Sequence, residues 1–176
     1  SFVETRTGAL GMSYIGADGF IGVSASRYDN RYGNPGEPGD PSAGEAGVSL
    51  DMLQNRFELK AGINRDLWIF DGLRGSFAST SYEHTEFEGA EVGTFFTNEA
   101  DEGRLELTHR AFGNWTGAIG FQASDRAFEA IGEEAFVPRT KTRAQRLFWM
   151  EHGQWDSLQV DLGARADRVR SDAAGQ

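Results

Sequence analysis

The sequence predicts an all-β fold, an antiparallel up-and-down meander of about eight strands laid out like the wall of an outer-membrane barrel. Three observations carry this. Apolar and polar residues alternate with period two through several segments, which gives a strand one greasy and one wet side. Helical spacing at i, i+3, i+4 is found nowhere at useful length. The connections between alternating segments are short and long by turns, with short ones gathered at one end. Composition agrees, since 23 glycines, 4 prolines and 12% aromatics suit a β-barrel or another all-β fold.

The strands are expected at 4–15, 19–31, 48–62, 71–84, 96–110, 115–126, 140–151 and 156–169. At roughly ten residues, each matches the length a tilted strand needs to cross a bilayer. The first two flank "GADG", where Asp18-Gly19 signals a hairpin. In the third, Leu53, Phe57, Leu59, Ala61 and Ile63 oppose Met52, Gln54, Arg56, Glu58 and Lys60. In the fifth, Gly103, Leu105 and Leu107 oppose Arg104, Glu106 and Thr108. In the sixth, Gly117, Ile119, Phe121 and Ala123 oppose Ala118, Gly120 and Gln122. The eighth is the cleanest. Leu158, Val160, Leu162, Ala164 and Ala166 stand against Gln159, Asp161, Gly163, Arg165 and Asp167.

The expected short connections are "GADG", "NRDLWIF", "FGNW" and "HGQW"; the expected long ones cover residues 32–47, 84–95 and 126–141. Trp68 and Phe70, Phe112 and Trp115, and Trp149 and Trp155 all lie beside short turns. Amphipathic rings favour the headgroup level, so this end reads as a periplasmic-side aromatic girdle. "LFWMEHGQW" is then a strand leaving hydrocarbon and turning in the interface. With the short turns in the periplasm, Arg56, Glu58, Lys60, Arg104, Glu106, Asp161 and Arg165 line a lumen. There they can be hydrated or paired, whereas on the lipid face each would cost a few kcal/mol.

Charge and composition exclude several classes. A net charge of -10 argues against a nucleic-acid partner. Without cysteine there is neither a disulfide framework nor a thiolate metal site. No apolar run approaches the roughly 18 residues of a membrane helix. Ser1 to Gly8 hold charges where a signal segment would be apolar, no initiator Met is present, and "ARADRVRSDAAGQ" closes on no terminal element. The chain is therefore expected to be a segment of something longer. No G-x-S-x-G, H-E-x-x-H, P-loop or Rossmann fingerprint occurs, so neither an enzyme nor a cofactor is expected.

Residues 130–155, "AIGEEAFVPRTKTRAQRLFWMEHGQW", resemble a segment common in TonB-dependent outer-membrane receptors, close to G-E-E-A-[FL]-[VL]-P-P-T followed by a strand. "SRYDNRYGNPG" through "LDMLQNRFELKAG", and "SYEHTEFEGAEVGTFFTNEADEGRLEL", are similar to middle strands of the subgroup that includes zinc-uptake receptors. The likeness spans essentially the whole chain in order. Arg139 departs from it, where a second proline is usual, and so does the loop 32–47, which holds no histidine.

This resemblance implies an open, curved segment supplying about a third of a barrel of about 22 strands. Residues 1–176 would all belong to that barrel domain, with the plug domain and remaining strands lying elsewhere in the receptor. The partners it implies are outer-membrane lipid, the plug, the inner-membrane TonB complex, and a scarce ligand: siderophore, metal ion, haem or cobalamin. The rival readings are a small closed barrel acting as anchor or adhesin, and a soluble β-sandwich or lipocalin-like binder.

The candidate ligand-binding residues are Glu37, Asp40, Glu45, His84, Glu86 and Glu88, all expected in external loops. A histidine among carboxylates can ligate a divalent cation, though a solvated acidic loop gives the same pattern. Glu37, Asp40 and Glu45 could concentrate cations at the mouth or merely solvate a Gly/Pro-rich loop. Glu133 and Glu134 are expected to cap loop amides or pair with Arg139 or Lys141. His109 shares parity with Leu105 and Leu107 and is expected to be an interfacial structural residue; His152 is expected in a turn.

Overall fold

The structure, a computed structural model, describes residues 2–33, 47–132, 135 and 137–174. Eight strands follow one another: β1 (Val3–Ile15), β2 (Gly19–Gly33), β3 (Val48–Ile63), β4 (Phe70–Glu88), β5 (Glu91–Phe112), β6 (Trp115–Gly132), β7 (Thr140–Trp155) and β8 (Leu158–Ala173). They form one antiparallel sheet in the order β1-β2-β3-β4-β5-β6-β7-β8. Among the described residues β1 and β8 do not pair, so the sheet is open, as the sequence predicts.

Register divides the sheet into two unlike faces. One ladder row crosses all eight strands as Tyr14, Ile21, Ala61, Gly75, Leu105, Phe121, Leu147 and Ala166. The adjacent row, on the opposite face, runs Ser13, Gly22, Lys60, Ser76, Arg104, Gln122, Arg146 and Asp167. A slip of one residue in any strand would exchange the two, so every hairpin must share the same register.

The apolar face has no second layer upon it. Leu10 is 81% exposed and Met12 78%, and among the described residues only Ala118 and Ala144 are buried hydrophobic side chains. Both alanines sit on the polar face, beneath longer neighbours.

Along each strand the apolar face ends at a definite position and becomes polar towards the long-loop end. The last apolar or glycine position and its successor are Gly8 and Arg6, Ala25 and Arg27, Phe57 and Asn55, Phe77 and Ser79, Gly103 and Asp101, Ala123 and Asp125, Leu147 and Gln145, and Ala166 and Arg168. Gly8 faces Arg27, Phe57 faces Ser79 and Ala123 faces Gln145 across their ladders. The band thus steps towards the short turns at β2, at β4 and again at β7, the drift that strand tilt produces.

Strand lengths correct the sequence reading. They run from 13 residues in β1 to 22 in β5, not about ten. β4 and β5 continue to Glu88 and Glu91, and the expected long loop at 84–95 is a two-residue turn through Gly89, whose φ of 65° favours glycine. β6 likewise continues to Gly132, and His152 lies in β7 rather than in a turn. Beyond the apolar band polar residues occur on both faces, so alternation fades while backbone pairing continues. The short connections fall at 16–18, 64–69, 113–114 and 156–157, all at one end.

Candidate ligand-binding face

The polar face is a set of ladders in which many of the charges have a local partner. Glu58 accepts from Arg56 at 2.8 Å and lies 3.5 Å from Lys60. Arg56 also donates to Thr80 Oγ1 at 2.8 Å, tying β3 to β4. Arg104 meets Glu106 at 2.6 Å, Arg165 meets Asp167 at 2.9 Å, and Arg146 reaches Asp167 at 3.4 Å. His152 Nδ1 is 2.7 Å from Asp161, which also accepts from Gln159 at 3.0 Å. Most of these pairs are two residues apart on one strand, where alternation places them side by side.

Towards the long-loop end this face changes character. Tyr82, His84 and Glu86 occupy successive same-side positions of β4, with Phe96 opposite His84 on β5. Tyr82 Oη is 3.0 Å from His84 Nδ1, and His84 Nε2 is 3.7 Å from Glu86 Oε1. The His84 and Phe96 rings stack at 4.4 Å, and Phe128 on β6 continues the cluster at 6.3 Å from Phe96. These groups lie beyond the apolar band.

Burial lowers the pKa of His84 from its ordinary value, against the opposing pull of Glu86. Burial also raises that of Tyr82. The consistent arrangement is a neutral imidazole whose Nδ1 accepts the Tyr82 hydroxyl proton. What the cluster offers chemically is a flat aromatic platform with one polar edge, suited to stacking and hydrogen bonding.

The predicted site residues fare unequally. Glu37, Asp40 and Glu45 lie outside the described residues, as do Glu133 and Glu134. His84, Glu86 and Glu88 stand on β4 and not in a loop, because β4 pairs with β3 through Val48↔Glu88. His84 and Glu86 come together; Glu88 shares their side but stands at the hairpin turn. Among the described residues no group of three His, Asp or Glu side chains is gathered as a metal ion would require.

Sequence reasoning missed Tyr82, Phe96 and Phe128. The signal was there: three large aromatic residues occupy polar-side parity near one end. Phe148 breaks parity in the same way. Its ring lies over Gly120, where any Cβ would collide with it, and Arg104 stacks on it with Cζ 4.1 Å from the centroid.

At the short-turn end the aromatic residues cluster as predicted. Trp115 and Trp155 meet edge to face at 5.3 Å, above Gly153, which leaves room for both rings. Trp68 is 84% exposed and adopts a left-handed backbone with φ of 63°, an uncommon state for a bulky residue. His109 takes a structural role, bridged to Glu151.

No protein-family model matches the chain. Its fold is similar to that of the alcaligin outer-membrane receptor FauA from Bordetella pertussis. The TM-score is 0.64 at 13% identity, over 99% of this chain and 30% of that one. The chain thus spans about 30% of the length of the receptor it matches. At that identity the likeness shows the fold: an open β-sheet of the kind found in the barrel of an outer-membrane receptor.

Proposed function

We propose that the chain forms part of the barrel wall of a non-enzymatic outer-membrane receptor that takes up a scarce ligand, energised through TonB. The ligand class is a siderophore, metal ion, haem or cobalamin. The observation that carries this reading is the two-faced single layer: a continuous apolar row across eight strands on one side, and a polar row bearing Lys60, Arg104, Arg146 and Asp167 on the other. Lipid satisfies the first and a water-filled, plug-bearing interior the second.

The plug and the remaining strands come from further sequence in the same receptor, pairing with the free edges of β1 and β8. A small closed anchor would need β1 hydrogen-bonded to β8, and a soluble sandwich a second sheet. Neither is present among the described residues.

In this orientation the short turns face the periplasm, and the Tyr82–His84–Phe96–Phe128 platform lines the outer mouth. Among the described residues His84 and Glu86 alone fall short of the four ligands of a zinc site, so the zinc-uptake subgroup gains no support from their geometry. Deleting the gene should abolish cellular accumulation of one member of a panel of iron-siderophores, haem, cobalamin and zinc. Removing TonB should reproduce the loss. Undiminished accumulation of all four in the deletion strain contradicts the reading.

A further inference from the structure

Above the apolar band, the outward-facing side of the sheet is not evenly charged. By alternation with the band, β4 to β6 present Glu83, Glu99, Asp101, Asp125 and Glu129 on that side. β7 and β8 present Lys141, Arg143, Arg168 and Arg170, with Asp172 as the one carboxylate among them. Four cations so close are unexpected in a chain of net charge -10.

The local carboxylates do not balance them. Asp125 is shared, 2.9 Å from Arg143 and 3.4 Å from Lys141. Asp172 holds Arg170 at 3.0 Å. Arg168 makes no ion pair among the described residues. Moreover, Arg143 and Arg170 are direct ladder partners. Like charges directly opposite, with Cβ atoms about 5 Å apart, destabilise a strand pair, and Asp125 and Asp172 offset only part of the four positive charges of this corner.

We propose that this corner binds the phosphate of an anionic lipid headgroup at the surface of the surrounding bilayer. The inference rests on the membrane reading above. Arginine forks on neighbouring strands can each take two oxygens of one phosphate, and Lys141 adds a point charge at the rim. Height selects a lipid over a dissolved anion. Arg168 follows Ala166, the last apolar position of β8, and exposed Leu147 lies directly opposite Ala166. Acyl chains can therefore pack on Leu147 and Ala166 while the phosphate meets Arg143, Arg168 and Arg170.

The test uses the full receptor in vesicles of phosphatidylcholine alone or with bis-phosphorylated lipid A, followed by extraction and native mass spectrometry of retained lipid. The wild type should retain lipid A, and Arg168→Gln should weaken retention about fivefold; Arg143→Gln with Arg170→Gln should weaken it further. Arg165→Gln, on the opposite face, should leave retention unchanged. Because Arg168 has no ion-pair partner among the described residues, its substitution orphans no carboxylate there and the variant should fold. Equal retention by wild type and Arg168→Gln overturns the inference, and so does displacement of lipid A by inorganic phosphate at matched concentration. If the receptor enters neither kind of vesicle, the membrane reading itself fails and this inference falls with it.

Discussion

Glu151 reaches across Gly117 so that both its carboxylate oxygens stand 3.0 Å from Nε2 of His109. The three residues share one ladder row over β5, β6 and β7. His109 Nδ1 meets the Arg110 carbonyl oxygen at 2.7 Å, and Trp149 Nε1 donates to Glu151 at 3.0 Å. With acceptors at both ring nitrogens, the doubly protonated imidazolium is the form that satisfies every contact. This polar bridge sits where the apolar face meets the aromatic end, the depth at which a polar pair remains partly wet.

The bridge depends on the absence of a side chain at Gly117, where a Cβ would lie 2.3 Å from the Met150 carbonyl oxygen and 2.6 Å from the Glu151 carboxyl group. Gly117→Ala should therefore destabilise the sheet by about 1–2 kcal/mol, the cost of an unpaired polar group. Gly103→Ala meets nothing within 4 Å and should be neutral or stabilising by up to about 1 kcal/mol. Urea unfolding from lipid vesicles distinguishes the two.

Phe148 and Arg104 make a second pair that needs a glycine beneath it. A double-mutant cycle with Phe148→Ala and Arg104→Gln should give a coupling of about 0.5–1 kcal/mol. Gly120→Ala should erase that coupling, because the ring could no longer lie flat. Stabilities of the variants in the same vesicles provide the measurement.

His84 should titrate below its ordinary 6.5. A folded-state pKa below the unfolded one means that the unfolded chain takes up the proton first. His84's contribution is therefore full above 6.5 and is lost as the pH falls towards the folded value. Phe96→Ala, which uncovers the ring, should move the midpoint back up. Histidine NMR signals followed across mild acid read both effects.

The edge of the apolar band makes a sharp contrast within one strand. Leu105→Lys places a charge inside the band and should cost about 2–4 kcal/mol in vesicles. Glu99→Lys, on the same side of β5 but beyond the band, should change stability by about 0.5 kcal/mol or less. Similar costs at the two positions would mean that the band does not mark hydrocarbon.

Much of this sheet was legible in the sequence because its register rests on one repeated rule. Leu105 and Arg104 differ by one position and face opposite ways, and every strand obeys the same alternation. The rule fails at 84–95, where His84 and Glu86 on one side of β4 and Thr85 on the other are all polar and no contrast marks the strand. Pairing there is carried by the ladder from Val48↔Glu88 inward, which a single segment cannot reveal. The aromatic platform was missed for a related reason. Tyr82, Phe96 and Phe128 are far apart in sequence, and only the registers of β4, β5 and β6 bring them together.

Residues 1–176 hold no cysteine, so once any cysteine elsewhere in the receptor is replaced, depth and facing can be measured without background labelling. Single cysteines placed in turn at residues 56–61 of the full receptor, tagged with a fluorophore in bilayers, can be quenched by nitroxide carried on lipid chains or dissolved in water. Positions 57, 59 and 61 should be quenched from the lipid, and 56, 58 and 60 from the water. Quenching without that alternation, or greasy positions reached by neither agent, would mean that the apolar side packs against protein and not lipid.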